Sequence, residues 1–140
     1  MIASRVDCRA VRVREEGLLS YVYHLFIIFV GADGIDYYFR GGPTGDNPNF
    51  GNIVCHYGVY HPPCFDYDLH ALSKTVMVSP PAPTFQLLKH NCERINLLGI
   101  SYDPTGPNSN TVAKTLMLRS WMPARCPDWI ITPGWDDPIL

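Results

Sequence analysis

Residues 21–40 read YVYHLFIIFVGADGIDYYFR. The first ten positions are apolar or aromatic almost without interruption, and they are rich in branched side chains that suit a pleated surface. A strand with water on one face alternates polar and apolar residues. This one does not, so both of its faces should be covered and it should lie centrally in a sheet. GADG (31–34) is a turn signal, and IDYYFR (35–40) then reads as a strand returning antiparallel to the first. The pair predicts an antiparallel hairpin at the heart of the fold.

Working outward, SRVDCRAVRVR (4–14) alternates weakly and carries many arginines, the pattern of an edge strand. NIVCHYGVY (52–60) and KTVMV (74–78) are shorter strand candidates set among loop-like sequence. In PAPTFQLLKHNCERINLLGI (81–100), Thr84 can cap a helix that places Phe85, Leu88, Cys92 and Ile95 on one face, with Gly99 near its end. Val112, Ala113, Leu116 and Met117 recur at helical spacing, so a second helix should begin close to Ser109 and run to about Arg119. From about residue 121 the tail WMPARCPDWIITPGWDDPIL holds too much proline for a long element and enough tryptophan to pack against the body. The expected fold is α+β, an antiparallel sheet packed by two helices, in one domain over residues 1–140.

Composition narrows the function classes. With 11 basic against 13 acidic residues, the formal charge is -2 and the basic footprint of a nucleic-acid binder is missing. The longest apolar run is too short to span a bilayer, and MIASRVDCRAVRV (1–13) is too charged for a signal peptide. The chain is therefore expected to be made in the cytoplasm, with export by a route lacking a cleaved signal left open. Five cysteines without CxxC pairs predict mostly reduced thiols.

Several motifs carry candidate chemistry. CHYGVYHPPC brings Cys55, His56, His61 and Cys64 close together, but the spacing is irregular and no paired knuckle is present, so no metal is expected. FDYDLH offers Asp66, Asp68 and His70 without the glycine and distant glutamate of a calcium loop. FRGGPTGDNPNFGN has no GK[ST] ending and leads into no helix, which excludes a P-loop; no cofactor is expected. Arg40, in FRGGP, can bind a substrate carboxylate or pin the glycine loop.

The stretch YDPTGPNSNTVAKTL (102–116) poses the sharper question. Ser109 stands between two asparagines at a helix start, where backbone N–H groups and the helix dipole stabilise negative charge. That suits a nucleophile and its oxyanion. Serine and asparagine are also preferred helix caps, so capping is the competing role.

The order of a histidine in a central strand (His24 in YVYHLFIIF), a returning strand, a helix, and Tyr102 ahead of Asn108, Ser109 and Asn110 at a helix start resembles the circularly permuted papain-like hydrolases. That group includes the PPPDE peptidases and the lecithin-retinol acyltransferase-like proteins. The resemblance covers about residues 20–119 and implies a hydrolase-like domain. It implies attack on an amide or ester carbonyl, with Ser109 at the position of the family's cysteine and His24 as general base, then acid. Tyr102, Asn108, Asn110 and Arg40 become candidates for substrate binding, and a peptide, peptidoglycan or acyl substrate follows. By analogy, a small bacterial or phage effector is a fitting setting.

Serine in place of cysteine leaves three readings open: a native serine nucleophile, a cysteine replaced by design to silence the protein, or a naturally inert site. A hydroxyl needs its base more than a thiol does, so His24 would carry more of the work. Its competing role is a hydrogen-bonded core histidine on the face of Val22, Phe26 and Ile28. An orienting third residue should come from the neighbouring strand, near Arg40 or Asp36, the carboxylate within IDYYFR. The alternative function is a non-catalytic module that docks a protein partner through aromatic loops and PGWDDPIL (133–140).

Overall fold

In the computed structural model, which describes residues 4–13, 22–45, 50–64, 67–68, 70–137 and 139, β2 (Val22–Val30) is the middle strand of an antiparallel sheet. Around it lie β1 (Arg5–Val13), β3 (Asp36–Pro43), β4 (Ile53–Val59) and β5 (Leu72–Val78), in the order β4-β3-β2-β1-β5. Two helices, α1 (Thr84–Asn96) and α2 (Ser109–Arg119), pack on the sheet, α1 mainly against β4 and α2 against β2 and β3. The architecture is α+β, as expected.

The unbroken apolar run of β2 has the two-sided cover it requires. Leu25 and Ile27 enter the main core with Leu88, Ile95, Val112 and Leu116 from the helices. Phe26, Ile28 and Val30 point the other way, where Tyr60 and Cys64, just after β4, close over them. The hairpin turn is held by the Gly31 N–H donating to the Ile35 carbonyl at 2.9 Å and by the Ile35 N–H donating to the Asp33 carboxylate at 3.0 Å.

Three expectations need correction. β1 is not an edge strand, because it pairs with β2 along its whole length and with β5 from Arg5 to Ala10. Its apolar side, Val6, Cys8 and Ala10, is fully buried, while Arg5 and Arg9 flank a buried Asp7 on the other side. The arginines signal internal charge pairing, not a solvated rim. Thr84 does not cap α1; the N-cap is Pro83, without a side-chain bond, and Thr84 is the buried first helical residue. Of the tail tryptophans, Trp135 packs against the core, with Lys114 5.2 Å above its ring, whereas Trp121 and Trp129 stand out into solvent.

Cysteine pairing also departs from expectation at one place. Cys55 on β4 and Cys92 on α1 form a disulfide, while Cys8 and Cys126 remain thiols. The same junction is clamped by Asn96, whose amide accepts from the Cys55 N–H at 2.6 Å and donates to its carbonyl at 3.0 Å. Residues 37 apart in sequence meet only because α1 lies on β4.

α2 approaches the sheet closely at Gly41. A methyl group there would fall 2.5 Å from Val112 side-chain carbons, so the glycine is needed for contact rather than for backbone freedom. Gly41→Ala is therefore expected to cost about 1–2 kcal/mol by overpacking a helix that cannot retreat. Chemical denaturation measures it; an unchanged midpoint would mean that the helix is not seated as described.

Candidate active site

The loop ahead of α2 is tightly tied. Tyr102 N–H donates to the Gly51 carbonyl at 2.9 Å, Asp103 N–H to the Pro107 carbonyl at 2.8 Å, and Gly106 N–H back to Asp103 at 2.7 Å. The Asp103 carboxylate accepts from the Thr105 N–H and hydroxyl, which holds its pKa below the usual value. The loop delivers Asn108 in an extended conformation to the helix start.

Asn108, not Ser109, is the N-cap. Its side-chain oxygen accepts from Asn110 N–H at 2.9 Å and from Thr111 N–H, while its own N–H donates to the Thr111 hydroxyl at 3.0 Å, which completes a capping box. The Asn108 carbonyl takes the Val112 N–H at 3.1 Å. Asn-x-x-Thr in the sequence carried this signal. Ser109 is left as the first helical residue. Its N–H is the one first-turn donor without a partner among the described residues.

The Ser109 hydroxyl lies 2.6 Å from His24 Nδ1, across 85 residues of sequence. The route to this contact runs along the flank of β2. β1 pairs with β2 from Val22 to Val30, but β3 pairs only from Ile27 onward. Beyond that point the free flank of β2 is taken over by the first turn of α2 and by the tail. Asn110 Oδ1 accepts from Leu25 N–H at 2.8 Å, Asn110 Nδ2 donates to the Tyr23 carbonyl at 2.9 Å, and Tyr23 N–H donates to the Ile131 carbonyl at 2.8 Å. The helix start thus sits beside β2, within reach of an imidazole on the Phe26 face, whose ring is 6.2 Å away.

The tail completes the enclosure. Asn110 Nδ2 donates to the Pro133 carbonyl at 3.0 Å and the Thr111 hydroxyl to the Gly134 carbonyl at 2.6 Å. Gly134, at φ +85, packs so closely on the Asn108 amide that a side chain would collide with it. Val22, His24, Tyr102, Pro104, Ser109 and Pro133 line a small cleft of about 80 Å³. Ser109 and His24 are both buried beneath it.

The sequence-derived candidates divide as follows. Ser109, His24 and Tyr102 converge on the cleft, with the Tyr102 ring packed 5.8 Å from that of Phe50. Asn108 and Asn110 are there too, with their amides bonded to the loop, the helix start, β2 and the tail. Arg40 does not line the cleft; it stands opposite His56 on β4. Asp36 pairs with Val30, six residues and about 20 Å along β2 from His24, too far to orient its ring.

Elsewhere, the Cys55 thiol is consumed in the disulfide, which removes one of the four residues a zinc reading of CHYGVYHPPC would use. Asp68 accepts from the His70 N–H at 2.8 Å in an exposed loop, and Asp66 lies outside the described residues. Among the described residues no helix is long and apolar enough to cross a membrane. The Cys8 thiol is pushed up by burial and by nearby Cys126 and Asp7, and burial and Asp128 push up that of Cys126, so both are poor nucleophiles.

No family model matches the chain, and no curated protein or solved structure proves similar to it.

Proposed function

We propose that the protein is a hydrolase or acyl-transfer enzyme acting at an amide or ester carbonyl, with Ser109 as nucleophile and His24 as its base. The observation that carries this reading is the 2.6 Å contact between the Ser109 hydroxyl and His24 Nδ1 in the wall of a cleft. It falls within the range a general base requires, and Asn108 has relieved Ser109 of capping.

In the proposed sequence, His24 carries its proton on Nε2 and accepts the hydroxyl proton at Nδ1 while Oγ attacks the carbonyl carbon. The tetrahedral oxyanion faces the Ser109 N–H, which has no partner among the described residues, and the positive end of α2. His24 then returns the proton to the departing amine or alkoxide, which leaves an acyl-serine. A water molecule or an acceptor nucleophile, deprotonated by His24, then attacks the acyl carbon; the bond to Ser109 Oγ breaks and His24 returns the proton to that oxygen. A cleft of about 80 Å³ holds the reacting group alone, so the rest of a peptide, peptidoglycan or acyl substrate would lie outside it. The order of elements that resembles the permuted papain-like hydrolases supports the same chemistry.

A second reading, a protein-docking module on this fold, is favoured by Trp121 and Trp129, which are 74% and 101% exposed. A fluorophosphonate probe separates the two. Labelling confined to Ser109 and cut by about 10²- to 10⁴-fold in His24→Ala is the expected result. Equal, background-level labelling of both proteins, with no hydrolysis of p-nitrophenyl esters, would eliminate the hydrolase in favour of the docking module.

A further inference from the structure

The Asn110 side chain makes three hydrogen bonds, and two of them fall on the residues on either side of His24. Its Oδ1 accepts from Leu25 N–H and its Nδ2 donates to the Tyr23 carbonyl, while the third bond runs to Pro133. Asn110 is itself the chain neighbour of Ser109. Two adjacent residues on α2 therefore grip three adjacent residues on β2: Ser109 touches His24, and Asn110 holds the peptides before and after it.

We infer that Asn110 is the positioning residue that aligns the His24 imidazole with the Ser109 hydroxyl, acting as a substitute strand where β3 no longer pairs with β2. The inference rests on the reading of Ser109 and His24 as nucleophile and base. β3 supports β2 only from Ile27 to Val30, so on that flank the backbone around His24 is held by Asn110 and by the Ile131 carbonyl instead of by a strand. A dyad contact tolerates displacements of about half an ångström before proton transfer suffers. An amide that fixes both flanking peptides and belongs to the same helical turn as the nucleophile makes any movement of α2 carry β2 with it. Asn110 is also 3% exposed, so its bonds compete little with water.

A purely structural asparagine would contribute stability without affecting the coupling between the two reacting groups, and a thiol reports that coupling directly. In Ser109→Cys, a thiol paired with His24 should ionise as a thiolate-imidazolium pair, so alkylation by iodoacetamide should set in well below the free-thiol value of about 8.5. His24→Ala in that background should raise the midpoint. Asn110→Ala should raise it as well, by about one pH unit, which at acidic pH means a roughly tenfold slower reaction. Thermal denaturation reports separately on folding.

A shift with both second substitutions supports the inference. A shift with His24→Ala but none with a folded Asn110→Ala overturns it and leaves the dyad standing. No shift with either overturns the dyad, and the inference with it. If Asn110→Ala does not fold, Asn110→Ser, neutral and long enough to keep one of the three bonds, is judged by the same midpoint.

Discussion

Ser109→Ala is expected to abolish probe labelling and ester hydrolysis while leaving the melting temperature almost unchanged, and Asn108→Ala is expected to reverse that pattern. The contrast follows from which of the two residues caps α2. Asn108 accepts the N–H groups of Asn110 and Thr111 and donates to the Pro104 carbonyl at 2.9 Å, so truncating it strands two helix donors and loosens the preceding loop. Losing such a cap costs about 1–2 kcal/mol, equivalent to a drop of a few degrees in melting temperature. Ser109 contributes one hydroxyl, bonded to His24; its loss should cost no more than about 1 kcal/mol. For the reaction the loss is total, because no other group holds the attacking oxygen at His24 Nδ1. Scanning calorimetry alongside fluorophosphonate labelling reads both axes. Retained labelling in Ser109→Ala would remove the nucleophile assignment outright.

The parts of this molecule legible from sequence are those whose physics is local. An apolar run too uniform for a half-exposed strand identified β2 as central, and GADG identified the hairpin. Helical spacing from Val112 to Met117 and a break at the Asn108-Ser109-Asn110 loop placed α2 at its observed start. The juxtaposition of His24 and Ser109 was legible only through the order of elements. No local signal joins residues 85 apart.

What escaped depends on what the folded chain brings close. Cys55 and Cys92 carry no motif, and their pairing is a consequence of α1 lying on β4. The Asn110 clamp exists because β3 stops pairing at Ile27, a detail of register that turn residues do not encode. The tail read as irregular packing, yet Ile131, Pro133 and Gly134 each accept a hydrogen bond within the site. Backbone carbonyls contribute there, and a carbonyl leaves no mark on residue identity. Capping was half legible: the asparagine and threonine of the box stand in the sequence, but serine and asparagine are comparable caps, so residue type alone does not choose between Asn108 and Ser109.

β1 shows the same limit in its charges, and it yields the largest stability effect expected outside the site. Asp7 is 2% exposed and accepts from Arg5 Nε at 3.0 and 3.2 Å and from the Thr75 hydroxyl at 3.2 Å, with Arg9 Nη2 at 3.7 Å. A register shift between Val6 and Asp7 sets Asp7 opposite Thr75 and so builds this arrangement into the sheet. Arg9 is mostly buried as well, its Nε has no partner among the described residues, and its guanidinium sits 5.6 Å from the Tyr60 ring. Asp7→Ala would leave that cation without its anion, in a place it cannot readily leave. Breaking a buried pair from one side costs about 3–5 kcal/mol; the lower end, about 3, applies here because the Arg5 side chain is 41% exposed and can turn to water. Arg9→Ala in the Asp7→Ala background should recover part of the loss, so that the double substitution costs less than the sum of the singles by at least about 1 kcal/mol. Urea denaturation of the four proteins gives the coupling. Strict additivity, or a loss below about 1 kcal/mol for Asp7→Ala, would mean that the arginines of β1 are solvated after all, as an edge strand would have them.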